Sequence, residues 1–338
     1  MSSKEELGVV IPSFQDRSRL RDIQNGRIIS VLHLDEKSKE FDCETTMFFF
    51  HGAMASHDQF AFLISHYHKY INIVAYDSYG CGNSDKPYDP VLWGESNYSA
   101  EQHTLDALAI FRRYATKRNI LVGHSFGSAI VGRLVGALHR NLNYADIDQK
   151  IIGTVLLGTF KDCPLARHPI FFLPVFVLDT LQNALSAQFA ELALSPKCDP
   201  EVKAWCCASS NMNQMHVAKS FYSNFGWATP TDWIELAKYP ILICHGNDDL
   251  ITPLLGASAL HELLLLARSK ATSINLHSDL DSAADTINND SNSLEKTPPI
   301  VMEVFPDVGH QIMQEKPNEL IHCMSKFLRD YCSVVDIP

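Results

Sequence analysis

Five residues constrain this chain more than any others. An apolar run, Asn119-Ile120-Leu121-Val122, leads directly into Gly123-His124-Ser125-Phe126-Gly127, and a second apolar run, Ser128-Ala129-Ile130-Val131-Gly132, follows at once. The pattern reads as strand, sharp turn and helix, with a serine at the apex. Glycines two before and two after the serine let the backbone fold that tightly without clashes. A serine hydroxyl is a poor nucleophile unless it is exposed, positioned and relieved of its proton. The turn provides the exposure. The helix start beneath it offers free N–H groups and a dipole that favour developing negative charge.

The rest of the chain supplies a framework for such a turn. Strand-like runs recur at 27–34, 46–50, 71–76, 119–122, 151–157, 240–244 and 300–305, and the first, which alternates, suits an antiparallel strand. Segments with helical spacing fall between them at 57–70, 104–117, 125–140, 254–267 and 317–331. Continuous apolar strands alternating with helices predict an α/β fold, a mostly parallel doubly wound sheet covered on both faces. Two stretches break the alternation. Residues 160–239 are too long for a simple crossover and predict a helical cap inserted over the sheet. Residues 268–299 are rich in Ser, Asn, Asp and Thr and predict a disordered surface insertion. The expected organisation is therefore an extension at 1–26, a core from 27–159 and 240–332, and the cap between them.

Composition narrows the setting. A net charge of −11 argues against a nucleic-acid partner. The nine cysteines are scattered, without CxxC spacing, and Cys206-Cys207 are adjacent, so reduced intracellular thiols are expected. Residues 1–26 are polar, and Val9-Val10-Ile11 is too short for a signal-peptide core, which points to the cytoplasm. No metal site is expected. Ser65-His66-Tyr67-His68 turns its two imidazoles to different sides of a helix. No dinucleotide fingerprint is present, and no cofactor is expected.

A serine nucleophile needs a base, a group to orient the base, and donors for the oxyanion. His310 is the candidate base, in Val304-Phe305-Pro306-Asp307-Val308-Gly309-His310 after the last strand; Asp307 beside it reads as a turn residue. Asp249 is the candidate acid, in His245-Gly246-Asn247-Asp248-Asp249, with Asp248 and Asp162 as rivals. The backbone N–H groups of Phe126 and of Ala53, in His51-Gly52-Ala53-Met54, are the oxyanion candidates, and His51 shapes that loop. Each lies at a strand end, where α/β sheets place their sites.

His51-Gly52, Asp77-Ser78-Tyr79-Gly80-Cys81-Gly82-Asn83-Ser84, Gly123-His124-Ser125-Phe126-Gly127, Gly246-x-x-Asp249-x-x-x-Pro253 and Gly309-His310 together resemble the α/β-hydrolase fold superfamily over roughly 27–332. The segment from Phe111 to Ser125 resembles the branch called abhydrolase domain-containing protein 8. The resemblance implies Ser125 as nucleophile, Asp249 as acid, His310 as base, Ala53 and Phe126 as oxyanion donors, and a structural role for Asp77. Epoxide hydrolases and dehalogenases of this fold carry an aspartate where this chain has Ser125. Some relatives carry a His-x-x-x-x-Asp associated with acyl transfer, and here that position is Glu315.

The cap speaks to substrate. His168-Pro169-Ile170-Phe171-Phe172-Leu173-Pro174-Val175-Phe176-Val177-Leu178 is strongly apolar, and Leu181, Leu185, Phe189 and Leu192 continue it at helical spacing. These residues either pack the cap onto the sheet or form an acyl-chain tunnel or lipid-dipping surface, and in the second reading Met212, Met215, Phe221, Phe225 and Trp227 line the same pocket. Only Arg167 offers an arginine clamp in 160–239. The expectation is a serine hydrolase cleaving a neutral lipid or acylglycerol ester, with peripheral membrane contact through the cap. The alternatives are a ligand-binding or scaffold member of the fold, an acyltransferase, or a carbon–carbon bond hydrolase using the same residues.

Overall fold

The computed structural model describes residues 18–20, 26–35, 42–88, 97–140, 150–163, 169–282, 298–334 and 337. Eight strands form one sheet: β1 (Ser18–Leu20), β2 (Ile29–Leu34), β3 (Asp42–Phe50), β4 (Ile71–Asp77), β5 (Arg118–His124), β6 (Ile151–Leu157), β7 (Ile241–Gly246) and β8 (Ile300–Phe305), in the order β1-β2-β4-β3-β5-β6-β7-β8. β1 and β2 run antiparallel to their neighbours, and from β4 to β8 every pairing is parallel. After β3 the chain moves to one side for β4, then returns to the other side for β5. Such a reversal leaves a crevice at the carboxyl ends of β3 and β5.

Helices cover both faces. They are α1 (Ala61–Tyr67), α2 (Ala100–Tyr114), α3 (Phe126–Arg140), α4 (Val175–Ala193), α5 (Pro200–Asn211), α6 (Met215–Ser223), α7 (Pro230–Leu236), α8 (Leu254–Ser282), α9 (Ile312–Glu315) and α10 (Pro317–Cys332). Alternation along β3 feeds the two cores. Phe48 and Phe50 pack with Phe111 of α2 and Leu134 of α3. Met47 and Phe49 pack with Leu63 of α1 and Leu320 and Phe327 of α10. Side chains one residue apart on a strand face opposite ways, so a doubly covered strand must be apolar throughout.

Four expectations change in detail. Ser18–Leu20, assigned to the N-terminal extension, pair with Leu20, Arg19 and Ser18 opposite Ile29, Ser30 and Val31, because the outer edge of β2 has backbone groups to satisfy. β8 is an edge strand and only half buried, with Val304 44% exposed. The disordered insertion expected from residue 268 is helical through Ser282, as a continuation of α8. Its first residue is held in place, since buried Arg268 donates to the carbonyls of Ala237 and Tyr239. Residues 283–297 lie outside the described residues. Finally, α7 falls inside the segment expected as cap but joins the helical layer on the sheet. A Thr229–Asp232 capping box starts it, and Trp233 is fully buried against the core. Among the described residues no helix is long and apolar enough to cross a membrane.

Candidate active site

Ser125 sits between β5 and α3 with φ of +51°, a left-handed backbone that a non-glycine residue adopts only under constraint. The constraints are visible. The Ser125 N–H donates to the Leu157 carbonyl at the end of β6 (2.9 Å), and its carbonyl accepts from the Ser128 N–H (2.9 Å) and Oγ (2.6 Å). A Cβ at Gly127 would stand 2.0 Å from the Phe50 carbonyl oxygen, so helix and strand meet at a distance only glycine allows. Ser125 is 8% exposed.

His124, beneath the serine, was not singled out as a site residue. Its Nε2–H donates to the His310 carbonyl (2.9 Å), and its Nδ1 accepts from the Gln59 side-chain amide (3.2 Å). Burial, then the proximity of His310, hold it well below the ordinary histidine value, so it is neutral. The elbow therefore grips the histidine loop directly.

His310 Nδ1 lies 2.7 Å from Asp249 Oδ2. The other oxygen, Oδ1, accepts the N–H groups of Ile251 (2.9 Å) and Thr252 (2.8 Å). Thr252 Oγ1 sits 2.8 Å from Asp249 Oδ2, 3.1 Å from the Gly158 carbonyl and 3.1 Å from His310 Nδ1. His245 Nε2 donates to the Thr252 carbonyl (2.6 Å) and lies 3.4 Å from Asp249 Oδ2. Burial by itself raises the Asp249 pKa, but His310, His245 and the Thr252 N–H outweigh it and hold the carboxyl at about 2. Asp249 is thus an anion at neutral pH, able to fix the His310 tautomer. Thr252 and His245 were not anticipated. An acidic residue followed by threonine three positions on is a local signal for such a side-chain turn.

The rivals stand elsewhere. Asp248 accepts from Ser195 Oγ (2.8 Å). Asp162 is 73% exposed with Lys161 3.9 Å away. Asp307 takes φ of +56° in a turn and pairs with Lys197 (2.7 Å). Asp77 holds its own loop, taking the His57 Nδ1–H (2.6 Å) and N–H (2.9 Å) and the Asn83 N–H (2.7 Å).

The candidate oxyanion donors flank the serine. Phe126 begins α3, so its N–H has no carbonyl one turn earlier to bind. Ala53 follows β3, and a Cβ at Gly52 would lie 3.5 Å from Ser125 Cβ, so this loop runs beside the serine. His51 shapes it: Nδ1–H donates to the Gly52 carbonyl (2.7 Å), and Nε2 accepts from the Ser78 N–H (2.8 Å).

Over the elbow lies an aromatic roof. The Phe126 ring meets Phe221 at 5.0 Å and Phe225 at 5.3 Å between centroids, and Tyr222 stacks on Phe171 at 4.5 Å. Of the expected lining residues, Met215 and Phe221 are buried in this core. Met212 is not part of it, being 75% exposed, and Phe189 packs on a separate cluster of Ala190, Leu194 and Cys206.

The family model described as the alpha/beta hydrolase family matches residues 47–322. The chain belongs to the alpha/beta hydrolase family. Within it, Protein ABHD8 of Homo sapiens is 26% identical over 271 residues, which cover 76% of this chain and 57% of that protein. The chain thus spans little more than half the length of the curated relatives it matches. A putative aryl esterase from Burkholderia cenocepacia superimposes with a TM-score of 0.67 at 16% identity, over 94% of this chain and 100% of that one. A bacterial membrane phospholipase A gives 0.63 at 16% identity, over 94% and 86%. These structures share the alpha/beta hydrolase fold with this chain.

Proposed function

We propose that the chain is a serine hydrolase that cleaves a carboxylic ester, of lipid or acylglycerol type, through an acyl-enzyme on Ser125. The observations that carry this reading are the 2.7 Å contact of His310 Nδ1 with an anionic Asp249 and an elbow serine held at φ of +51°. With Nδ1–H committed to Asp249, Nε2 takes the Ser125 proton as Oγ attacks the ester carbonyl. The oxyanion rests on the Ala53 and Phe126 N–H groups. The same proton then passes from Nε2 to the leaving alcohol. Water, deprotonated by Nε2, attacks the acyl-enzyme, and the carboxylic acid leaves as the proton returns to Ser125.

Apolar packing around Phe126, Phe171, Phe221 and Phe225 supports an uncharged acyl group. Phe172 and Phe176, 60% and 71% exposed, support peripheral lipid contact through the cap. The buried thiols of Cys81, Cys206, Cys244 and Cys332, none joined in a disulfide, support a cytoplasmic setting. The test is fluorophosphonate labelling of wild type beside Ser125→Ala, followed by esters graded in chain length. Ser125-dependent labelling is expected, with turnover reduced at least ~10⁴-fold in the variant. Equal turnover by a clean Ser125→Ala preparation would remove the mechanism.

A further inference from the structure

Resting on the serine-hydrolase reading, we infer that Glu315 is a positioning residue that ties the α4–α5 corner of the cap to the loop carrying His310. Its Oε1 accepts the Gly309 N–H (3.0 Å) and its Oε2 the Ser195 N–H (2.9 Å). One side chain therefore bridges the residue before His310 and the cap.

The rest of the corner repeats the tie. The His310 N–H donates to the Ala193 carbonyl at the end of α4 (2.6 Å). A Cβ at Gly309 would lie 2.6 Å from the same carbonyl oxygen, so loop and cap touch through bare backbone. Ser195 Oγ donates to Asp248, the neighbour of Asp249 (2.8 Å). His310 is held by the cap through its N–H and by His124 through its carbonyl, while Asp249 takes the ring. The cap corner thus helps set the angle at which the imidazole meets Ser125.

A carboxylate suits this place because both oxygens accept. Glutamine keeps one acceptor and turns an NH₂ toward the other N–H, where nothing accepts it. Aspartate is one methylene too short to span both donors. Positioning errors of about 1 Å cost on the order of 100-fold in rate.

The experiment measures kcat and KM of the full chain on a water-soluble short-chain p-nitrophenyl ester, with Tm as a folding control. Glu315→Gln is expected to lower kcat about 10- to 100-fold while KM stays within about twofold. Ser195→Pro, which removes the cap-side N–H and with Oγ the Asp248 contact, is expected to lower kcat at least as much and carries the test if Glu315→Gln fails to fold. The double variant is expected to lose little more than Ser195→Pro alone, because that variant already breaks the Glu315 tie. Unchanged kcat in a folded Glu315→Gln, a rise in KM alone, or additive losses would overturn the positioning role. A wild type that neither labels at Ser125 nor turns over ester overturns the underlying reading instead, and this inference with it.

Discussion

The sheet edge and the cap of this alpha/beta hydrolase are built on opposite terms. At the edge, Ser125, Asp249 and His310 are 8%, 3% and 2% exposed, and each is held by backbone groups of neighbouring strands or loops. On the cap, Phe172, Phe176 and Met212 stand 60%, 71% and 75% in solvent. The edge spends its apolar residues on two packed cores. The cap leaves a share of its own uncovered and touches the edge through a roof of rings, the Glu315 corner and the Asn213 side-chain amide on the Met54 carbonyl. The buried, hydrogen-bonded edge is where the proposed hydrolysis would take place, and the exposed cap residues are where the proposed lipid contact would fall.

The largest break expected in this contrast comes from Gly127→Ala. The new Cβ meets the Phe50 carbonyl, oxygen at 2.0 Å and carbon at 2.5 Å, and the His51 carbonyl oxygen at 2.7 Å, backbone that does not move without moving β3. A loss above ~3 kcal/mol is expected in urea unfolding, together with loss of labelling at Ser125. Wild-type stability would show that the elbow is looser than its contacts imply.

Acid separates the regions next. Burial holds His51, His124 and His245 below the ordinary histidine value and His103 down at about 3. His51, His124 and His245 lie on or beneath the sheet edge, and His103, on α2, packs its ring against Phe126 and Phe221. Because the folded values are lower, the unfolded chain binds more protons below pH ~6.5, and stability falls as pH drops through that point. Between pH ~7.5 and ~5.5 stability is expected to fall, with His103 alone contributing on the order of 1 kcal/mol, read by urea midpoints. Equal midpoints at both pH values would contradict the buried neutral assignment.

The smallest effect is expected on the cap surface. Phe176→Ser should change stability by less than ~0.5 kcal/mol, since the ring is largely in water. Its binding to neutral phospholipid vesicles should weaken while hydrolysis of a soluble ester is unchanged. Undiminished vesicle binding would take lipid contact away from this helix.

Residues whose requirements are local were legible in the sequence. The elbow needs glycines at fixed offsets and apolar runs on both sides, and all of that lies within 119–132. Asp249 and His310 were legible as strand-end residues in a recognisable order. The supports of the site were not. His124 meets His310 across 186 residues and Ser195 meets Glu315 across 120, and nothing in either local pattern names the partner. The helical start of residues 268–282 was hidden for a related reason. Their polar composition resembles a loop, while the helix that carries them is anchored upstream by Leu260 and Leu264 in the core and by Arg268 on the Ala237 carbonyl.

By itself the sequence determined the fold class and the order of strands β2 to β8 along the chain, and it named Ser125, Asp249 and His310 as strand-end candidates. Period-two and continuous apolar runs, turn glycines and strand-end motifs are properties of neighbours along the chain, and short-range sterics decides them. Only the tertiary structure decided which segment of 160–239 is cap and which is core, where Met212 and Phe189 point, and that Glu315 joins the cap to the histidine loop. Those outcomes depend on burial and on hydrogen bonds between distant residues, and such contacts exist only once the chain has closed on itself.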